Sequence, residues 1–157
     1  MTAPDRPALR WHGGKWLLAP WIIGHLPEHR IYTEVYGGAA SVLLRKSRSY
    51  GEIYNDLGDD VVNFFRVLQD RMKAERLREL LTLTPYSRRE FELSYQPTED
   101  DLERARRLVV RSVYTLNGRM IARKAGPKTR THAEMLALGA VCEGAFPKHK
   151  FRHVQSG

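Results

Sequence analysis

Residues 31–41 read Ile-Tyr-Thr-Glu-Val-Tyr-Gly-Gly-Ala-Ala-Ser, and this junction decides the fold class. The β-branched and aromatic residues from Ile31 to Tyr36 predict a strand that runs into a Gly37-Gly38 turn. Ser41, followed by apolar Val42, Leu43 and Leu44 and then basic residues, predicts the start of a helix. Small residues at such a handover let the backbone approach a ligand closely, and a helix N-terminus presents free N–H groups. Gly51-Glu-Ile-Tyr-Asn55 predicts a second short strand. Asp56 closes it about 20 residues after the glycine turn, where doubly wound folds place an acid for ribose hydroxyls. A carboxylate suits that task because it accepts two hydroxyl hydrogen bonds at once. The same pattern also describes a plain structural turn, with Asp56 capping the next helix.

Upstream, Met1 to Arg10 reads as a short tail, and His12-Gly13-Gly14 as a turn. The apolar stretch Trp16 to Ile23 suits a buried helix that stops near Pro27. Downstream, Asp56, Asp59 and Asp60 open a helix whose positive N-terminal dipole favours acids. Val61, Val62, Phe64, Phe65, Val67 and Leu68 give that helix a wide apolar face. Alternating helix and strand up to this point predicts an α/β piece with parallel strands. From Met72 onward the pattern is helical only. Leu77, Leu80 and Leu81 share a face, Ser87-Arg88-Arg89-Glu90 matches a capping box before Phe91, and a further helix spans roughly Glu99 to Val113.

The 157 residues are 42% hydrophobic, enough for one domain with a real core. A formal charge of +8 and a pI near 9.9 favour a polyanionic partner, since Lys and Arg release counterions from phosphates. Cys142 is the only cysteine, so no internal disulfide forms and a reducing cytoplasm is expected. Pro4, Asp5 and Pro7 are wrong for a signal peptide, and Trp16 to Ile23 is too short to span a bilayer, which needs ~20 residues. Cys142, His149 and His153 fall one ligand short of a structural zinc site. No Ser-His-Asp or His-Glu-x-x-His arrangement supports a hydrolase.

Arg10-Trp11-His12-Gly13-Gly14-Lys15 joins a flat aromatic, two permissive glycines and a cation within one short segment. Such a set can stack on a purine and hold a carboxylate or phosphate; equally, Trp11 can be a core residue beside a surface lysine. Taken in order with Glu34-Val35-Tyr36-Gly37-Gly38-Ala39-Ala40-Ser41 and Tyr54-Asn55-Asp56, the segment resembles the Dam-like family of adenine-specific DNA methyltransferases. There a W-x-G-G-K segment precedes an E-P-F-x-G-x-G-S loop and a strand ending in Asp. Thr84-Pro85-Tyr86-Ser87-Arg88-Arg89-Glu90-Phe91 and the Arg-rich helix ending at Asn117-Gly118 are similar to the middle region of that family, so the resemblance covers roughly residues 9 to 123.

The resemblance implies a partial class I S-adenosylmethionine-dependent methyltransferase sheet, Rossmann-like, with a helical insert. Residues 1–72 would form the partial cofactor-binding part, 73–130 the DNA-recognition insert, and 131–157 an unassigned segment. By position, Trp11 and Lys15 would contact S-adenosylmethionine, Asp56 would hold its ribose, Gly37, Gly38 and Ala39 would line the methionine end, and Glu34 would lie near its amino group. The chain departs from the pattern at Val35, Tyr36 and Ala40. The last matters most, because a methyl group forbids backbone conformations open to glycine.

The family's catalytic element is an Asp-Pro-Pro-Tyr loop that receives a flipped adenine. This sequence contains no Pro-Pro dipeptide. The expectation is a truncated or split enzyme that is silent alone, with a further polypeptide supplying the missing half; the alternative is a remnant that binds DNA, cofactor or both. Double-stranded DNA is the expected partner, through Arg10, Asn117, Arg119 and Arg123, because Arg grips guanine edges and Asn pairs with adenine edges. Arg104, Arg106 and Arg107 are expected instead to pair with acids at 99, 100, 101 and 103.

Overall fold

A computed structural model describes residues 4–116, 119–120 and 151–152, with side chains described through residue 114. Its elements run α1 (Ala19–Gly24), β1 (Ile31–Glu34), β2 (Gly51–Tyr54), α2 (Asp59–Gln69), α3 (Arg71–Leu83), α4 (Arg88–Leu93), α5 (Asp101–Tyr114), β3 (Thr115–Leu116), β4 (Arg119–Met120) and β5 (Phe151–Arg152). The chain is therefore mixed α/β. β1 and β2 pair in parallel, with Ile31 opposite Gly51 and Glu34 opposite Tyr54. β2 also pairs in parallel with β5, whose two residues lie in the stretch that matched no pattern in the sequence. β3 and β4 form a small antiparallel ladder that the all-helical reading of the second half did not contain.

Helix α2 organises the core. Its six expected apolar residues, together with Asn63, are all buried, and each large side chain fully removed from water contributes roughly 1.5–3 kcal/mol. One continuous cluster joins this face to Ala74, Leu77 and Leu81 of α3 and to Ala105, Leu108, Val109, Val110 and Val113 of α5. Asp70 caps α3 by accepting from the N–H groups of Met72 and Lys73 at 3.0 and 3.2 Å. Ser87 caps α4 through the Glu90 N–H at 3.1 Å. The Glu90 carboxylate accepts from Arg106 at 2.8 Å.

Three departures in the first half bear on function. The segment before Arg10 is not a loose tail, since Ala8 and Leu9 are buried in the core cluster. The helix expected from Trp16 begins only at Ala19, with turns before it. Pro20 explains the delay, because proline is favoured in the first turn of a helix and excluded further in. The helix expected from Ser41 is a run of turns held by i to i−4 bonds, Leu44 N–H to Ala40 O at 2.9 Å and Lys46 N–H to Val42 O at 2.9 Å. Among the described residues, no helix is long and apolar enough to cross a membrane.

Candidate functional site

At the carboxyl ends of β1 and β2 the two strands stay joined beyond their last ladder pair. Asn55 N–H donates to Glu34 O and Gly37 N–H to Asn55 O, both at 2.9 Å. The chain then turns sharply through Gly38, at φ +49°, and Ala40, at φ +51°. A left-handed alanine costs roughly 1 kcal/mol, so the surroundings must impose it: Ala40 is completely buried and its N–H donates to Gly37 O at 2.8 Å.

Tyr54 builds the floor of this turn. Its hydroxyl donates to Gly38 O at 2.6 Å, and its ring meets Phe65 of α2 edge-on at 5.1 Å. Burial, then the charges of Asp56 and Glu34, raise its pKa far beyond the ordinary tyrosine value, so it remains a donor. Asp56 locks the turn from the side, Oδ2 accepting from Gly38 N–H and Oδ1 from Gly58 N–H, each at 2.8 Å. Each carboxylate oxygen keeps a further lone pair for another donor.

The N-terminal segment covers the turn. Anchored by Ala8 and Leu9, it lays the half-buried Trp11 indole over Gly38 so closely that a Cβ there would sit 2.7 Å from Nε1. Gly13, at φ +73°, reverses the chain, and Lys15 Nζ donates to Gly13 O at 2.6 Å. Arg45 fastens the far end, donating to Trp16 O at 2.7 Å with its guanidinium over the Trp16 ring.

A cleft of about 520 Å³ lies between these pieces. Trp11, Lys15, Glu34, Gly37, Gly38, Ala39 and Asp56 all line it, so the structure brings the seven residues singled out for the cofactor into one place. It adds His12, Tyr36, Ser41 and Val42, none of which the sequence marked as a ligand contact. Ser41 stood in the quoted motif only as a helix start.

Glu34 is the site's most unusual group. Its Oε1 accepts from Leu43 N–H at 2.9 Å and from the Tyr32 hydroxyl at 3.1 Å. Its Oε2 is buried without a partner, as is the Ser41 hydroxyl. Burial pushes the Glu34 carboxyl above the usual glutamate value, against the opposing hydrogen bonds and the Lys46 charge. A raised folded pKa means that the bound proton stabilises the fold fully below the ordinary value of 4.5, and that this contribution is lost as pH rises through the shifted value. Urea midpoints of the ligand-free protein should fall over that window. Glu34→Gln should flatten the fall and be no less stable at neutral pH; a loss beyond ~1 kcal/mol there would contradict this account of the carboxyl.

The arginines of α5 are engaged inside the fold. Arg104 donates to Asp60 Oδ1 at 2.8 Å and Arg111 to Asp60 Oδ2 at 2.5 Å, while Arg111 also donates to Ser94 O. Arg106, only 8% exposed, bridges Glu103 and Glu90, and Arg107 donates to Glu103 at 2.8 Å. Hydrogen bonds from Arg106 and Arg107 hold the Glu103 carboxyl below the usual range. Internal pairing was expected for the residues at 104–107 with acids at 99, 100, 101 and 103; Glu103 is such a partner, whereas Asp60 and Glu90, two of the three partner acids, come from other helices. Arg10 is exposed at the start of the cleft-lining segment. Arg119 lies on β4, paired opposite Leu116, whereas Asn117 and Arg123, like Cys142, His149 and His153, fall outside the described residues.

A parallel strand pair, a strained small-residue turn and a second-strand carboxylate thus frame a cleft at the strand C-termini. The chain belongs to the D12 class of N6 adenine-specific DNA methyltransferases, whose family model matches residues 11–119. It is 37% identical over 71 residues to proteins named DNA adenine methylase from two Vibrio cholerae serotype O1 strains, Classical Ogawa 395 and El Tor Inaba N16961. That match takes in 45% of this chain, which spans about a quarter of the length of those relatives, 25%.

Proposed function

We propose that this chain binds S-adenosylmethionine in the cleft and belongs to a system that methylates N6 of adenine in double-stranded DNA. The observation that carries the reading is the Asp56–Gly38–Trp11 arrangement. One carboxylate fixes a left-handed glycine turn, and an indole lies against it so closely that no side chain fits there. In this reading the sheet is a partial class I methyltransferase sheet. Asp56 holds the ribose with its remaining lone pairs, Trp11 packs on the adenosyl group, and Gly37, Gly38 and Ala39 leave room for the methionine end. Glu34 takes the amino group, and Lys15 swings from Gly13 O to the carboxylate.

The orphaned Glu34 Oε2, a buried acceptor that a ligand donor can satisfy, fits such a ligand. S-adenosylmethionine supplies a methyl group on a positively charged sulfur, open to attack by a nitrogen lone pair. The chain's own residues hold that ligand and keep one wall of the cleft apolar. Arg10, Asn117, Arg119 and Arg123 are assigned to the DNA, with phosphate contacts setting position and base contacts setting sequence.

A second reading, cofactor and DNA binding without transfer by this chain alone, is favoured by one observation: the 157 residues contain no Pro-Pro dipeptide for an Asp-Pro-Pro-Tyr loop. Calorimetric titration with S-adenosylmethionine, followed by a labelled-methyl transfer assay on double-stranded DNA, tests both readings. Saturable 1:1 binding supports the cofactor assignment, and its absence removes it. Methyl label in adenine selects the first reading; binding without label selects the second.

A further inference from the structure

We propose that Arg45 is a positioning residue for this cleft, holding the segment that carries Trp11 and Lys15 closed against the glycine turn. The inference deepens the S-adenosylmethionine reading and rests on it. The two walls of the cleft come from different parts of the chain. One is the glycine turn with Glu34, Val42 and Asp56, and the other is the run from Trp11 to Lys15. That second wall is thinly attached. From His12 to Lys15 it is exposed, and two of its bonds, Gly14 N–H to Trp11 O at 3.0 Å and Lys15 Nζ to Gly13 O at 2.6 Å, lie within the run itself. Helix α1 behind it is a weak anchor, because Ala19 is its one buried residue.

Arg45 supplies a tie between the walls. It belongs to the run of turns that follows the glycine turn, its own N–H donating to Val42 O at 3.1 Å, and it does not line the cleft itself. Its Nη1 donates to Trp16 O at 2.7 Å, one residue beyond Lys15, and the guanidinium carbon stands 4.7 Å from the centre of the Trp16 ring. The planar guanidinium thus fixes both the carbonyl and the ring of one residue, which the compact ammonium of a lysine does less well. Ala8 and Leu9, buried in the core cluster, pin the other end of the run. A ligand therefore meets two walls already apposed, and its affinity is not lowered by the cost of ordering a loose segment.

The test is calorimetric titration of the full chain with S-adenosylhomocysteine, wild type against Arg45→Met, which keeps an unbranched stem and removes the guanidinium. Affinity should fall roughly 10-fold, the scale of one lost hydrogen bond from a charged group. A second readout is limited trypsin digestion of the ligand-free proteins, with the cut sites identified by mass. Cleavage after Lys15 should speed up several-fold in the variant. Cleavage after Arg71 and Arg76, inside α3, should keep its wild-type rate, because a released segment opens locally and not with the whole fold. Arg45→Lys replaces the methionine variant if that fails to fold, with an expected loss of about threefold in affinity. Unchanged affinity, or an affinity loss with unchanged cleavage after Lys15, would overturn the proposal. So would faster cleavage at all three sites together, which would make Arg45 a support of the whole fold. In each of those cases wild-type binding leaves the cofactor reading intact. A wild-type protein that binds no S-adenosylhomocysteine would end both.

Discussion

Gly37→Ala is expected to destabilise the fold by about 3 kcal/mol, at the upper end of the usual cost of overpacking a core. An alanine Cβ at this position would lie 2.1 Å from Cε2 and 2.5 Å from Cδ2 of Tyr54. The ring has no room to retreat, being 3% exposed, tied through its hydroxyl to Gly38 O and backed by Phe65. Relief would require moving the strand end or unseating α2, and either reaches the core. Gly24→Ala is the internal control, because nothing lies within 4 Å of a Cβ there. Urea unfolding of the two variants should separate them clearly; matching midpoints would mean that the turn yields more easily than its packing implies.

Asp56→Ala is expected to lower affinity for S-adenosylmethionine by about 100-fold, two hydrogen bonds at roughly tenfold each. It should also cost about 2 kcal/mol of stability through the loss of two charge-assisted backbone bonds. The carboxylate performs two tasks at different lone pairs. One set fixes Gly38 and Gly58 in the free protein, and the other is proposed to take ribose hydroxyls. Titration well below the unfolding midpoint of the variant separates the tasks. Unchanged affinity would remove Asp56 from the ligand contacts and leave it as a turn clamp.

The parts of this fold legible in the sequence are those fixed by local pattern. The strand preferences of 31–34 and 51–54, the apolar face of α2 and the Ser87 cap each depend on residues a few positions apart. The glycine turn was legible because Gly37-Gly38 marks a backbone need that few other residues meet. What escaped depends on distant partners. Tyr54 looked like an ordinary strand residue, and only the parallel register with Glu34 places its ring beneath Gly37. Ser41 reveals itself only through the lack of a partner in three dimensions. Ala8 and Leu9 were too few to show periodicity, yet their burial carries Trp11 to the cleft. Asp60 suited a helix N-terminus by sequence, and its bonds to Arg104 and Arg111, two turns apart on α5, follow from tertiary packing.

Ala40 illustrates how a departure from a family pattern acquires a physical meaning. The residue adopts a left-handed backbone where glycine is favoured, and its methyl is wholly enclosed. Any loss of turn strain on Ala40→Gly would therefore be offset by lost packing and by greater freedom of the unfolded chain.

The central claim is that one adenosyl ligand sits between the Trp11 indole and the Asp56 carboxylate. A crystal structure of the chain grown with S-adenosylhomocysteine tests it most directly. The account predicts ribose hydroxyls within hydrogen-bond distance of Asp56, the adenosyl group against Trp11, and the amino group at Glu34. A ligand bound elsewhere on the surface, or a cleft without ligand density at saturating concentration, would contradict it.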